Sequence, residues 1–342
     1  MTGVGKSGQI GPEEWLGAAA VLRQRAQVAW AVSAALEAAW AGDRPEDVVG
    51  ALEAIVARAV AGAAGGASEV KGSGAAAAPR QAEGPAAGDA AAAWRRLQQT
   101  DLAGVSLPAV WIASLGAGNE RATVALGLGA DGGKRVLGVW AGGAAEHRCS
   151  QQLAGDLRGR GLGRGATWLA VTEGERALDL ALRQQWGQRV VLAHCQERVG
   201  AAVTGHLPTG LRPAATQALT TAWECPEAGG ARRELEALAE AWRRDHPGAA
   251  ARLLGECEAT VATQALGIRG ALAQRLRTAV PARYLLQRCL PAARGRSGRD
   301  WVAAVAMQAR HRQAGFRRRP EEAAVGALVR ALAKRSVVAA SQ

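Results

Sequence analysis

The strongest constraint on the fold of this chain is a series of short apolar segments between Ala109 and Ala193. Five of these segments have the length of β-strands, and no helical pattern separates the first three. Helical patterns fill the two remaining gaps, over 144–160 and around Ala177–Leu182. The predicted strands are Ala109–Ile112, Arg121–Leu128, Val136–Trp140, Trp168–Val171 and Arg189–Ala193.

Three strands in hairpin succession, followed by alternation of helix and strand, predict an α/β fold. Its sheet would be a mixed five-stranded sheet flanked by helices. Asp131-Gly132-Gly133 supports this order, because it is a hairpin signal between the second and third strands. Ribonuclease H-like proteins have the same order of elements, so we predict a ribonuclease H-like core.

Composition divides the whole chain into five regions. Residues 1–62 form a predicted helical N-terminal region, and 63–92 a flexible Ala/Gly linker with too few large apolar groups to repay ordering. Residues 93–207 carry the core strands and helices. Residues 208–276 are predicted to be entirely helical, with breaks at Pro226, Gly229-Gly230 and Pro247. Residues 277–342 form a basic, helical C-terminal part of the core.

Positive charge is concentrated at the C-terminal end. From Arg269 to Gln342 there are 16 Lys and Arg residues against three acids, a net charge of +13, whereas the whole chain carries +12. Such a block predicts binding to a polyanion, with DNA as the expected partner. The alternative is a solvated surface in an arginine-rich protein. The candidate DNA-binding residues are Arg277, Arg283, Arg288, Arg294, Arg296, Arg299, Arg317, Arg318 and Arg319.

Cysteine usage and hydropathy exclude several classes of protein. The five cysteines are scattered and contain no CxxC pair, which argues against a disulfide framework or a zinc knuckle. No apolar run is long enough for a membrane span, and no secretory signal is visible at the start. We expect a cytoplasmic, nucleoid-associated protein with no membrane partner.

Seven short segments follow one another in a characteristic order between Val110 and Leu332. They are Val110–Ala113, the hairpin 125–140, the helix end Leu153–Leu162, Val171–Gly174, Cys195, Leu276–Arg283 and Trp301–Ala304. In this order they resemble the transposases of Mutator-type bacterial insertion sequences. The resemblance implies that the helical segment 208–276 is an insertion in the ribonuclease H-like core, and that the chain takes part in DNA transposition and recombination.

Such transposases cleave and join DNA with two divalent metal ions, usually Mg²⁺, held by three carboxylates. The resemblance places these ligands on the first strand, after the fourth strand and on a late helix, where this chain has Ala113, Glu173 and Arg283. Only Glu173 is acidic, so we expect no metal cofactor and a degenerate site. Small alignment shifts do not change this, because no acid lies within 103–117 or 259–299.

Two other side-chain groups have alternative interpretations. Glu173 and Glu175 could form a catalytic carboxylate pair, but acids at a strand-to-helix turn also favour a helix N-terminus electrostatically. His194-Cys195 could be a nucleophile pair or a metal site. We expect instead a partly buried thiol beside a histidine that faces solvent.

The sequence therefore predicts a transposase-derived, DNA-binding protein that has lost strand cleavage and transfer. Its partners would be DNA and either copies of itself or active transposase copies. Two alternatives stay open: an active metal-dependent transposase with an atypical site, and the product of a decayed gene without a selected function.

Overall fold

A computed structural model describes residues 87–313 and 322–340 of the chain. The described elements are α1 (Ala87–Gln98), β1 (Ala109–Ala117), β2 (Glu120–Leu128), β3 (Lys134–Ala141), α2 (His147–Gly159), β4 (Trp168–Thr172), α3 (Arg176–Trp186), β5 (Val190–His194), α4 (Gln196–Gly205), α5 (Arg212–Glu224), α6 (Ala228–Trp242), α7 (Pro247–Thr260), α8 (Ala262–Ala265), α9 (Gly270–Leu276), α10 (Val280–Cys289), α11 (Gly298–Gln313) and α12 (Glu322–Ala340). The predicted N-terminal helical region 1–62, the linker as far as residue 86, and Arg317–Arg319 lie outside these residues.

The described strands form one five-stranded mixed sheet in the order β3-β2-β1-β4-β5. β1 pairs antiparallel with β2 and β2 with β3, while β1–β4 and β4–β5 are parallel pairs. The hairpins explain the antiparallel half, and the helical crossovers α2 and α3 explain the parallel half. The predicted five-stranded mixed sheet flanked by helices is therefore confirmed, and its strand order is consistent with a ribonuclease H-like arrangement.

Both faces of the sheet are buried, as the nearly continuous apolar strands predict. Along β1, Val110 and Ile112 point to one face, which packs against α2 and α3. Trp111 and Ala113 point to the other face, which packs against helices from the C-terminal part of the chain, α10, α11 and α12. The two-residue period of the strand thus separates two cores on either side of the sheet.

A third apolar cluster lies in the helical segment that the sequence predicted between 208 and 276. It contains Leu219, Leu235 and Leu253 from α5, α6 and α7, and it extends back to Val199 and Val203 of α4. The helical segment 208–276, which the resemblance interprets as an insertion, therefore has a small core of its own, to which α4 also contributes.

The predicted boundaries of three segments were wrong. β1 continues to Ala117, because its antiparallel pairing with β2 extends as far as Glu120. α6 runs through Gly229-Gly230, since these residues occupy its first turn and the break comes earlier, at Pro226. Residues 87–92 belong to α1 and not to a flexible linker. The indole N–H of Trp94 anchors this helix by donating to the Val139 carbonyl at 2.9 Å.

Among the described helices, none has the length and apolar character needed to cross a bilayer.

Candidate functional site

The sequence-predicted site positions meet at one end of the sheet, where β1 and β4 run past their paired residues. The parallel register joins Val110 to Ala170 and Trp111 to Val171. Beyond these pairs, β1 reaches Ala113 and β4 ends at Thr172, directly before Glu173, so both positions lie at this end of the sheet. Ala113 is fully buried in the same apolar cluster as Ala282, the residue before Arg283 in α10. Strand pairing and helix packing thus bring these three positions to one place.

Glu173 and Arg283 form a buried ion pair at this place. The Nε and Nη2 groups of Arg283 donate to Oε1 of Glu173 at 2.9 and 2.5 Å. The Glu173 side chain is 6% exposed and that of Arg283 is 18% exposed. Arg198 approaches the same oxygen at 3.7 Å from a side chain that is 54% exposed. Burial lowers the pKa of Arg283, but the Glu173 carboxylate outweighs this effect and the net shift is upward.

Glu175 is a second acid on the same loop. It precedes the first residue of α3, and its Oε2 accepts a hydrogen bond from the Glu173 backbone N–H at 3.2 Å. Burial, followed by repulsion from Glu173 and Asp179, raises the pKa of Glu175 to about 7. Glu175 thus lies at the N-terminus of α3, and Arg283 does not neutralise it.

Main-chain hydrogen bonds fix the loops around the ion pair. Cys195 N–H donates to the Thr172 carbonyl at 2.8 Å, and Gln196 N–H donates to the Arg277 carbonyl at 2.9 Å. The Thr278 hydroxyl accepts the N–H of Val280 at 3.1 Å, at the start of α10. The segments after β4, after β5 and before α10 therefore support one another.

The candidate DNA-binding arginines separate into two groups. Arg277 is half-buried and donates to the Trp223 carbonyl and the Thr263 hydroxyl, and burial lowers its pKa. Arg283 is occupied by Glu173. Both guanidinium groups thus have partners within the protein. Arg288, Arg294 and Arg299 are exposed, whereas Arg296 is partly buried.

The segment that leads into α11 lies at the end of the sheet where β1 turns into β2. Gly298 N–H, at the start of α11, donates to the Glu120 carboxylate at 2.8 Å. Glu120 begins β2 directly after the turn from β1, at the same end of the sheet as Ala113. The segment that carries Arg294 and Arg299 therefore lies at the sheet end that holds Glu173 and Arg283.

The expectation of a solvent-facing His194 was wrong, and Cys195 is fully buried rather than partly buried. His194 is 6% exposed and lies between two carboxylates, those of Asp179 and Glu256. Asp179 comes from α3, the helix before β5, and Glu256 from α7, 62 residues after His194. Sequence patterns gave no signal that Glu256 would meet the histidine, because this contact depends on how α7 packs on β5.

Within the described residues, no three His, Cys, Asp or Glu side chains are grouped so that they could hold a metal ion. A sequence model of the family described as Transposase, Mutator family, matches residues 95–266. The match includes Ala113 and Glu173 and ends before Arg283. No curated protein matches the chain. Because the family model spans half of the chain, and the strands follow in the order that the resemblance implied, this protein belongs to the Mutator family of transposases.

Proposed function

We propose that this protein is a transposase-derived DNA-binding protein that no longer cleaves or joins DNA. The observation that carries the proposal is the ion pair between Glu173 and Arg283. If the positions match those of the family, a guanidinium group sits where the active family holds Mg²⁺. The protein would then share the fold and the DNA binding of the family, but not the chemistry of its active site.

The residues at this place do not fit a two-metal centre. Mg²⁺ requires several hard oxygen ligands, and two ions need carboxylates from at least three positions. Ala113 offers no ligand, and Oε1 of Glu173 is already bound by two N–H groups of Arg283. A metal ion would have to displace that guanidinium and would then experience its charge at close range. We therefore assign no metal-dependent step to this protein.

DNA binding would depend on the exposed arginines at the same end of the sheet. Arg288, Arg294 and Arg299 are exposed and belong to the most basic part of the chain. Guanidinium groups bind phosphate oxygens by charge-assisted hydrogen bonds, and this contribution does not require a metal. A protein of this kind could occupy the ends of a mobile element, or assemble with active transposase copies and inhibit them.

The test is DNA binding by the full chain in EDTA, measured by fluorescence anisotropy over a range of salt concentrations. We expect log affinity to fall linearly with log salt. Replacing Arg288, Arg294 and Arg299 by alanine should reduce the slope by about 2.7, since each phosphate contact contributes about 0.9. No binding at low salt, or binding that is independent of salt, would contradict the proposal.

A charge-matched control separates a specific surface from net charge alone. Arg233, Arg243 and Arg244 lie on or next to α6 of the insertion and are exposed. Their triple replacement by alanine removes the same total charge. We expect it to leave most of the salt slope intact, and an equal reduction in both triple variants would show that no particular surface binds DNA.

A further inference from the structure

A buried charged cluster lies where β5 meets the helical insertion. His194 is the last residue of β5, and its Nε2 is 2.9 Å from Oδ2 of Asp179. Its Nδ1 contacts Oε2 of Glu256, and the other oxygen of Glu256 is 2.9 Å from Nη2 of Arg252. With the ring protonated, two carboxylates therefore face two cations, and the cluster is neutral overall.

The two carboxylates come from different parts of the molecule. Asp179 belongs to α3, which packs against the sheet, whereas Glu256 belongs to α7 of the insertion. Their side chains are 16% and 9% exposed. They contact opposite nitrogens of one imidazole ring, so a single metal ion could not be bound by all three groups. The ring itself is the bridge between core and insertion.

The surroundings of the ring favour its charged form. Burial alone would lower the pKa of His194, but Asp179 and Glu256 outweigh burial and raise that pKa to about 9. β4 and α8, which also pack against β5, carry no ionisable side chains. Besides Asp179, α3 carries Arg176 and Arg183, which are exposed, and α7 contributes Arg252 next to Glu256. In a neutral ring, one nitrogen would present a lone pair to a carboxylate, which is unfavourable in a buried site.

We propose that His194 is an imidazolium latch, which holds the helical insertion against the core and releases α7 when the ring loses its charge. The latch also reaches the loop that carries Glu173. Thr172 donates its hydroxyl to Asp179 at 3.3 Å and accepts the N–H of Gly174 at 3.3 Å. Asp179 therefore connects the latch to this loop.

A second junction keeps the insertion attached when the latch is open. Arg277, which precedes α10, donates to the Trp223 carbonyl of α5 at 3.2 Å. This contact involves no carboxylate and does not depend on the charge of His194. Loss of the latch should therefore give local opening of α7 rather than unfolding of the whole protein.

Native-state hydrogen exchange of the full chain tests the latch. The variants are His194→Gln and Glu256→Gln, with Glu258→Gln as the matched control. Glu258 lies on the same helix, but its side chain is 74% exposed and pairs with Arg232 of α6, inside the insertion. We expect α7 amides to exchange at least about tenfold faster in the first two variants, since each leaves a buried charge or carboxylate unpaired. The control should stay within about twofold of the wild type.

The pH dependence distinguishes a charged latch from ordinary packing. Because the pKa of His194 is raised, the latch is complete below about pH 6.5 and is lost as the pH rises through about 9. Between these values, the opening equilibrium of α7, corrected for intrinsic exchange, should rise about tenfold per pH unit. His194→Gln should remove this rise. Retention of the rise in His194→Gln, or equal acceleration by Glu258→Gln and Glu256→Gln, would overturn the proposal.

If the variants fail to fold, the protonation of the His194 ring in the wild type still tests the latch. The chain has five histidines, so the imidazole resonances of His194 can be assigned by substituting the other four. We expect the His194 ring to remain protonated at pH 8 by nuclear magnetic resonance. A ring that is neutral at pH 7 would overturn the latch.

Discussion

Arg283→Ala is expected to destabilise the protein substantially, because it leaves the buried Glu173 carboxylate without its main partner. After the change, the nearest cation to Glu173 would be Arg198, which lies 3.7 Å away on a side chain that is 54% exposed. Breaking a buried ion pair by removing one partner typically costs about 3–5 kcal/mol. Arg283 is 18% exposed, so we expect about 2–4 kcal/mol, or a fall in Tm of about 4–12 °C.

A double-mutant cycle with urea denaturation, followed by tryptophan emission, isolates the pair. Glu173→Ala/Arg283→Ala removes both charges, so it should be less destabilised than the sum of the two single changes, with a coupling energy of about 1–3 kcal/mol. Arg198→Ala is the control, and because it is an exposed, distant partner it should cost less than about 1 kcal/mol. Equal effects of Arg283→Ala and Arg198→Ala, or a coupling energy near zero, would refute the assignment of a buried pair.

Three further predictions concern other parts of the core. Glu175→Gln should raise Tm at pH 8 by about 3–6 °C but not at pH 4.5, because burial raises the pKa of Glu175 from 4.5 to about 7 and the carboxyl therefore destabilises the fold increasingly between these pH values. An equal effect at both pH values would contradict this. Gly163→Ala should cost about 2–3 kcal/mol in urea denaturation, since the new methyl group would lie 2.5 Å from the Trp168 ring at φ +63°. Gly165→Ala, at φ +76° with no atom within 4 Å, is its control and should cost about 1 kcal/mol. In the native protein at pH 8, maleimide should label the Cys225 thiol but not that of Cys289, because Cys289 is buried and burial raises its pKa to about 12. Rapid labelling of Cys289 would be evidence against this packing.

The sheet and its order could be predicted from the sequence because strands are local patterns. The apolar runs that contain Trp111, Leu126 and Trp168 are short, are bounded by turns and are buried on both faces, as they are in the structure. The exact ends of the strands and helices were less predictable. The end of β1 at Ala117 depends on pairing with β2, and the start of α1 at Ala87 on packing against β3 and α11.

The pairing of charges could not be predicted, because it depends on contacts between distant segments. Arg277 belongs to the basic block by sequence, yet it donates to Trp223, 54 residues earlier. His194 meets Glu256 62 residues later, only because α7 packs on β5. Glu173 and Arg283 are 110 residues apart. Their proximity could be expected only from the family resemblance, which matches both residues to ligand positions of one site.

The most direct test of the account is a nicking assay on supercoiled plasmid with Mg²⁺ or Mn²⁺, comparing the full chain with Glu173→Ala. The account predicts no metal-dependent nicking by either protein, because the one acid at the matched positions is paired with Arg283. Metal-dependent nicking by the wild type that disappears in Glu173→Ala would contradict it, and would show that Glu173 still acts in catalysis.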